Sequence, residues 1–183
     1  MAVGQYITAT ASRYSGGFTF ETSEFSRGVA AISSTQASIT VDTVSDANDG
    51  DTTSLSTLLA NKGSDGFVSL REAIIAANNT ANGTGGADRI QFSIAGPGPH
   101  SISLTSALPT VTQAVIIDGS SEPDFAGTPV IELNGAGVGT FSSGILLGSG
   151  SSGSTIKGLV INRFSQSGIR IEGGSGNNLI TGN

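Results

Sequence analysis

Oxygen-bearing residues at calcium-loop spacing are the sharpest chemical signal in this sequence. An EF-hand loop binds calcium through oxygens at alternate positions, with glycine at the sixth and an acid at the twelfth. Counted from Asn61, Asp65 falls fifth, Gly66 sixth, Phe67 seventh with its backbone carbonyl, Ser69 ninth and Glu72 twelfth. Gly63 stands third and offers no side chain, and the first position is Asn rather than Asp. Two carboxylates therefore serve the loop, so calcium there would be held weakly. A second acidic run, with Asp46, Asn48, Asp49 and Asp51 in DANDGD, could share an ion with it. The plainer reading makes Asp65-Gly66 a turn, Glu72 part of a helix cap and the acidic run a solvated loop.

Polysaccharide chemistry would need paired carboxylates at defined separations, or acids beside an Arg or Lys. Asp118, Glu132, Lys157, Arg163, Arg170 and Glu172 are the candidate polar residues on outward strand faces. They form no catalytic motif, so no catalytic residue is assigned and the default is a solvated strand face. His100, the single histidine, sits in PGPHS without an evident acid or nucleophile partner and reads as a surface turn.

Such residues need a scaffold, and composition limits which. The chain has 183 residues, a formal charge of −6, eight Lys and Arg in all and no cysteine. Scattered cations exclude a phosphate-tracking surface, so nucleic acid is not an expected partner. The absence of cysteine argues against a small disulfide-stapled domain. No apolar run reaches the length of a bilayer span, so membrane insertion is not expected. The opening MAVGQYITATASRY lacks a basic region followed by an apolar core, and an export signal would lie outside this chain or have been removed. The acidic balance suits a saline exterior, cation binding or plain solubility.

Three zones follow along the chain. Residues 1–43 form a β-rich arm or hairpin, with Tyr6 to Tyr14 and Phe18 to Phe25 flanking Ser15-Gly16-Gly17, and Ala37 to Val41 as a leading strand. Residues 44–87 form a helical cap that contains the possible calcium loop. Thr53 to Ala60 is a short helix. Ser69 to Asn79 is a second, with Leu70, Ala73, Ile74 and Ala77 on one face and a Ser69/Glu72 capping box.

Residues 88–183 break into RIQFSI, SISL, AVIID, VIELN, GILLG, STIKGLVIN, GIRIE and NNLIT, and here the repeat decides the fold. Ile131, Leu133 and Asn134 align with Leu159, Ile161 and Asn162. Gly144-Ile145-Leu146-Leu147 aligns with Gly168-Ile169-Arg170-Ile171, and Ile156 with Ile180. The last two pairings share a step of 24 residues, whereas Ile117 to Ile156 spans 39, with the surplus in Ser120–Pro129 and Gly135–Ser143. Insertions of this kind often gather function. The expected fold is mainly β: a right-handed parallel β-helix, or solenoid, with an N-terminal capping helix and the first coils over 88–183. Stacked Asn134 and Asn162 could hydrogen-bond to each other along its axis. A β-sandwich, with antiparallel pairing and no constant coil length, is the alternative.

The segment GSDGFVSLREAIIAANNTANG, with ADRIQFSI, ISLTSALPTV and AVIIDG after it, resembles the opening of large bacterial surface proteins carrying an "SLREA(I)" motif. GLVINRFSQSGIRIEGGSGNNLITGN is similar to their coils. The resemblance covers roughly residues 40–183 and implies a pectate-lyase-like β-helix, with Ser69–Asn79 capping the open end of the first coil. Val68 stands where many members of that group carry a cysteine, so any cross-link there is missing.

Together these point to a non-enzymatic extracellular or bacterial cell-surface scaffold module for adhesion or surface assembly, with a carbohydrate or other cell-surface ligand as a possible partner. The alternatives are the N-terminal part of a polysaccharide lyase or hydrolase, and a self-associating filament subunit. The sequence stops within the coil pattern, at Leu179 to Asn183, which reads as a piece of a longer protein, or as an end covered by another chain. Calcium is the only cofactor implied.

Overall fold

Period-two alternation sets the architecture. In β5 (Ser38–Val41), Ile39 and Val41 are buried while Ser38 and Thr40 face out. The same in–out rhythm runs through β6 (Asp88–Phe92) and β7 (His100–Ser103), so each strand offers one apolar face. A single such face must be buried against another element. The chain solves this by coiling, and like positions fall on like.

The computed structural model describes residues 36–183, together with four two-residue strands nearer the N-terminus: β1 (Tyr6–Ile7), β2 (Ser12–Arg13), β3 (Glu21–Thr22) and β4 (Val29–Ala30). β2 pairs antiparallel with β3, and β1 with β4. The expected turn at Ser15-Gly16-Gly17, and most of the two segments expected to flank it, lie outside the described residues.

From β5 onward every pairing is parallel, and the strands stack as a β-solenoid of about three turns. The first turn holds β6, β7 and the bridging residue Val111. The second holds β8 (Val115–Asp118), β9 (Ile131–Asn134) and β10 (Ile145–Leu147). The third holds β11 (Thr155–Lys157), β12 (Leu159–Asn162) and β13 (Ile169–Ile171), and β14 (Leu179–Thr181) opens the next. One sheet runs β14-β11-β8-β6-β5, a second β12-β9-β7, and a third joins β10 to β13. All-parallel pairing replaces the β-sandwich alternative.

Register confirms the repeat. Ile131 pairs with Leu159, Leu133 with Ile161, Ile145 with Ile169, and Ile156 with both Ile117 and Ile180. Inward ladders result, such as Ile39–Ile90–Ile117–Ile156, all essentially inaccessible. Each such side chain contributes about 1.5–3 kcal/mol on burial. Ile171 continues the Val111–Leu147 line but is half-exposed, because no described strand pairs beyond β13 in that sheet.

The corners require glycine at one pair of positions. A Cβ on Gly119 would lie 2.2 Å from the Gly158 carbonyl oxygen, and one on Gly158, at φ 69°, would lie 2.5 Å from the Ser120 nitrogen. Successive turns touch backbone to backbone there, and only glycine leaves room. Asn134 and Asn162 do stack in register, but they do not bond to each other. Asn162 donates to Glu132 at 2.8 Å, and Asn134 accepts from the Ala136 amide. A carboxylate on the diagonal neighbour outcompetes a neutral amide as acceptor.

Between β5 and β6 the chain leaves the coil and forms α1 (Leu55–Ala60) and α2 (Leu70–Asn78). Both begin with a reciprocal capping box, Ser54 with Thr57 and Ser69 with Glu72. Leu55 and Leu58 from α1, and Leu70, Ala73, Ile74, Ala76 and Ala77 from α2, join one core with the strand ladders. Side chains along and just beyond α2 satisfy backbone groups of the first turn. Arg71 donates to the Ser106 and Ala107 carbonyls. Asn78 bonds Thr110 O and Thr112 N, and Asn82 bonds Ala114 O. The helix thus satisfies backbone groups on the first-turn edge of the third sheet, around Val111, which blunts that edge against edge-to-edge association.

Candidate functional site

The acidic residues of 42–72 are distributed as acceptors for backbone N–H groups. Glu72 is buried, at 1 % exposure. One of its oxygens accepts from the Asp49 and Gly50 amides at 2.8 and 2.7 Å, and the other from the Ser69 amide at 2.9 Å. Ser69 in turn accepts from the Glu72 amide and donates to the Ala47 carbonyl. Asp49 accepts from the Ser64 amide and hydroxyl and from the Asp65 amide. Asp65 caps the Phe67 amide, and Asp51 caps Thr53. Asp42 accepts from the Val68 amide and pairs with Lys62 at 2.7 Å. Asp46 holds Arg71 at 2.9 Å and also accepts from Thr105. The Asn61 side chain accepts from the Gly63 amide at 3.4 Å.

The hydrogen bonds give these acids a structural task in the described residues, whatever else they bind. Among the described residues, no three of the carboxylates Asp42, Asp46, Asp49, Asp51, Asp65 and Glu72 converge closely enough to share an ion. Calcium needs six to eight oxygens around one point. Here both oxygens of Glu72 are turned to N–H donors. Spacing placed acids where a loop would want them, but the segment folds as two helix starts and the turns that pin them. Of the residues expected as ligands, Glu72 bonds the Asp49 and Ser69 amides and Asp49 bonds the Asp65 amide, while Asp46 turns to Arg71, Asp51 to Thr53 and Asn61 to Gly63.

The outward strand faces carry ion pairs that cross turns. Asp118 pairs with Lys157 at 2.9 Å and lies 3.6 Å from Arg89, so one acid on the second turn joins cations on the first and third. Expected as a solvated residue, Asp118 is in fact covered, at 4 % exposure, because these two long side chains and Ser120 fold over it. Burial pushes the Asp118 carboxyl up, but the Ser120 hydroxyl, the Lys157 ammonium and Arg89 outweigh it and hold it below the ordinary carboxylate range. Hydrogen bonds from Ser101 and Asn162, against some desolvation and with Arg163 nearby, likewise lower Glu132. Arg170 and Glu172 face solvent and lie 3.5 Å apart.

His100 departs most from expectation. It is the first residue of β7, points inward in line with Ile131 and is 6 % exposed. PGPHS is therefore a corner leading into a strand, not a surface turn. Glu122, also buried, places Oε1 3.9 Å from His100 Nε2. Asp124, two residues on, accepts from the Gly98 amide at 2.6 Å. Glu122 and Asp124 lie in the Ser120–Pro129 insertion, but nothing in their own segment marks them individually. Register was needed to see them: the corner before β9 stacks on the corner before β7, so Ser121, Glu122 and Asp124 lie along Phe92, Ile94 and Gly98.

No family model, curated protein or solved structure matches the chain.

Two outcomes follow. Glu72→Gln replaces one acceptor oxygen by a donor facing N–H groups and is expected to destabilise the protein by about 2–4 kcal/mol in urea unfolding. The loss should be equal in calcium and in chelator; a loss confined to calcium would make Glu72 a ligand. Asp118 and Glu132, with folded pKa values below their unfolded ones, contribute stability above the unfolded values that disappears as pH falls through the folded ones. Asp88, which burial raises despite a bond from the Ala37 amide, works in the opposite sense. Asp118→Asn should therefore cost about 2 kcal/mol at neutral pH and make the acid limb of a Tm–pH curve shallower below about pH 4. An unchanged acid limb would remove Asp118 from this account.

Proposed function

We propose that the chain is a non-enzymatic β-solenoid scaffold module, working outside the cell or on a bacterial surface in adhesion or surface assembly. The observation that supports this reading best is the Arg89–Asp118–Lys157 ladder. Charged side chains that a lyase would direct at a sugar are here joined to each other across three turns. Paired in this way they brace neighbouring turns against one another. The similarity of the SLREAI segment and its coils to large bacterial surface proteins points the same way, since a capped, repetitive rod suits display.

A ligand would meet the loops that protrude from the second turn. Phe141 is 84 % exposed in the Gly135–Ser143 loop and offers an apolar ring at the surface. Aromatic rings exposed in this way favour contact with the apolar faces of partners, a carbohydrate ring included.

The test incubates the purified chain with a panel of acidic and neutral polysaccharides. Unsaturated products, new reducing ends and retention of each glycan are measured together. Retention without turnover, weakened by Phe141→Ser, is the expected result. Steady release of unsaturated or hydrolysed products would contradict the scaffold reading and favour a polysaccharide-degrading enzyme.

A further inference from the structure

We propose that His100, Glu122 and Asp124 form a binding site for a zinc-like divalent transition-metal ion, seated where the corners of the first two turns overlap. One ligand atom from each residue lies within 4.8 Å of the others. The inference is independent of the scaffold reading.

Three observations carry it. First, His100 Nε2 is buried and has no hydrogen-bond partner among the described residues. A buried imidazole nitrogen normally finds one, and an unsatisfied one costs about 1–3 kcal/mol. Glu122 Oε1, at 3.9 Å, is beyond hydrogen-bond range yet on the same side. Second, Glu122 faces this nitrogen and Asp124 lies close by, and among the described residues no Lys or Arg pairs with either acid. Glu72, also without a cation, spends both oxygens on three backbone amides, whereas Glu122 and Asp124 each accept a single amide donor and stand beside an unpartnered imidazole nitrogen. Third, both acids are oriented from behind. Glu122 accepts the Ile94 amide at 3.2 and 3.1 Å, and Asp124 accepts the Gly98 amide at 2.6 Å through one oxygen. Outer bonds of this kind fix ligands toward a metal.

Gly98 shows how closely the corners fit, since a Cβ there would lie 2.8 Å from Asp124 Oδ2. Glu122 and His100 are buried while Asp124 is exposed, so the site has an inner wall and an entry side.

The donor set selects the ion. One imidazole nitrogen with two carboxylates suits zinc or cobalt, whereas calcium and magnesium prefer oxygen alone. Ligand atoms around tetrahedral zinc lie about 3.4 Å apart, from bond lengths of about 2.1 Å. The present 3.9 Å between His100 and Glu122 therefore needs only a small closing movement. Three protein ligands leave a fourth position for water or for a donor from a partner.

The test titrates the full metal-free chain with Zn²⁺ alone, and in parallel with Co²⁺ alone, followed by calorimetry and by the visible cobalt spectrum. One ion per chain is expected, with a low-symmetry cobalt band, a rise in Tm, and no competition from excess Ca²⁺. His100→Ala should weaken zinc by at least about tenfold and abolish the cobalt band. Asp124→Asn, exposed and able to keep the Gly98 bond, should weaken zinc by a similar factor while retaining the fold. Stoichiometric zinc binding that both variants keep would overturn the proposal, because the ion would then sit elsewhere. No saturable binding by the unmodified chain would overturn it too.

Discussion

A buried carboxylate with no cation beside it holds the first turn of this solenoid in place. Glu72 would be costly to bury if its oxygens were unmet. Instead they accept three backbone amides, from the start of α2 and from the Asp49-Gly50 loop. That loop belongs to the chain leaving β5, so a single side chain fixes both where the helix begins and how the excursion from the coil is closed. The neighbouring acids repeat the device at lower cost: Asp42 on Val68, Asp49 on Ser64 and Asp65, and Asp46 on Arg71 and Thr105. The acidic balance of this segment is thereby explained by backbone satisfaction.

Everything downstream depends on α2 lying where it does. A stack of parallel strands exposes a core end and an unpaired edge at its start. The apolar stripe from Leu70 to Ala77 covers the core end, while Arg71, Asn78 and Asn82 bond the edge. With that end closed, each later turn has a template below it. Ile, Leu and Val fall on the same residue types, and Gly119 and Gly158 let the corners touch. The short corner at Gly158, set against the long one after Gly119, then makes the second turn the place where loops project.

Much of this was legible in the sequence. Repeat alignment gave the register of β8 to β14 residue by residue, because a two-residue period and matching apolar and corner residues leave little freedom even where inserted loops change the coil length. The capping box gave the start of α2, since Ser69 and Glu72 satisfy each other locally. What escaped were relations between segments distant along the chain. Spacing showed acids at ligand positions, but whether an acid meets a metal or an amide depends on what folds over it. Asp118 looked solvated because the reach of Arg89 and Lys157 across turns is not written in its own strand. His100 looked like a turn residue because PGPHS carries turn chemistry up to the point where the strand begins. The Asn134–Asn162 pair was placed in register, yet its bond was lost to Glu132, a competitor visible only once strands lie side by side.

The central claim, that the Glu72 clasp locks the cap as firmly as the coils themselves, is tested most directly by native-state amide hydrogen exchange. The account predicts that the amides of Asp49, Gly50 and Ser69 exchange as slowly as those of Ile90 and Ile117 in the core sheet, opening only with the whole structure. Rapid exchange at Asp49, Gly50 and Ser69 while the core strands remain protected would contradict it, and would make the cap an ornament on a solenoid that stands without it.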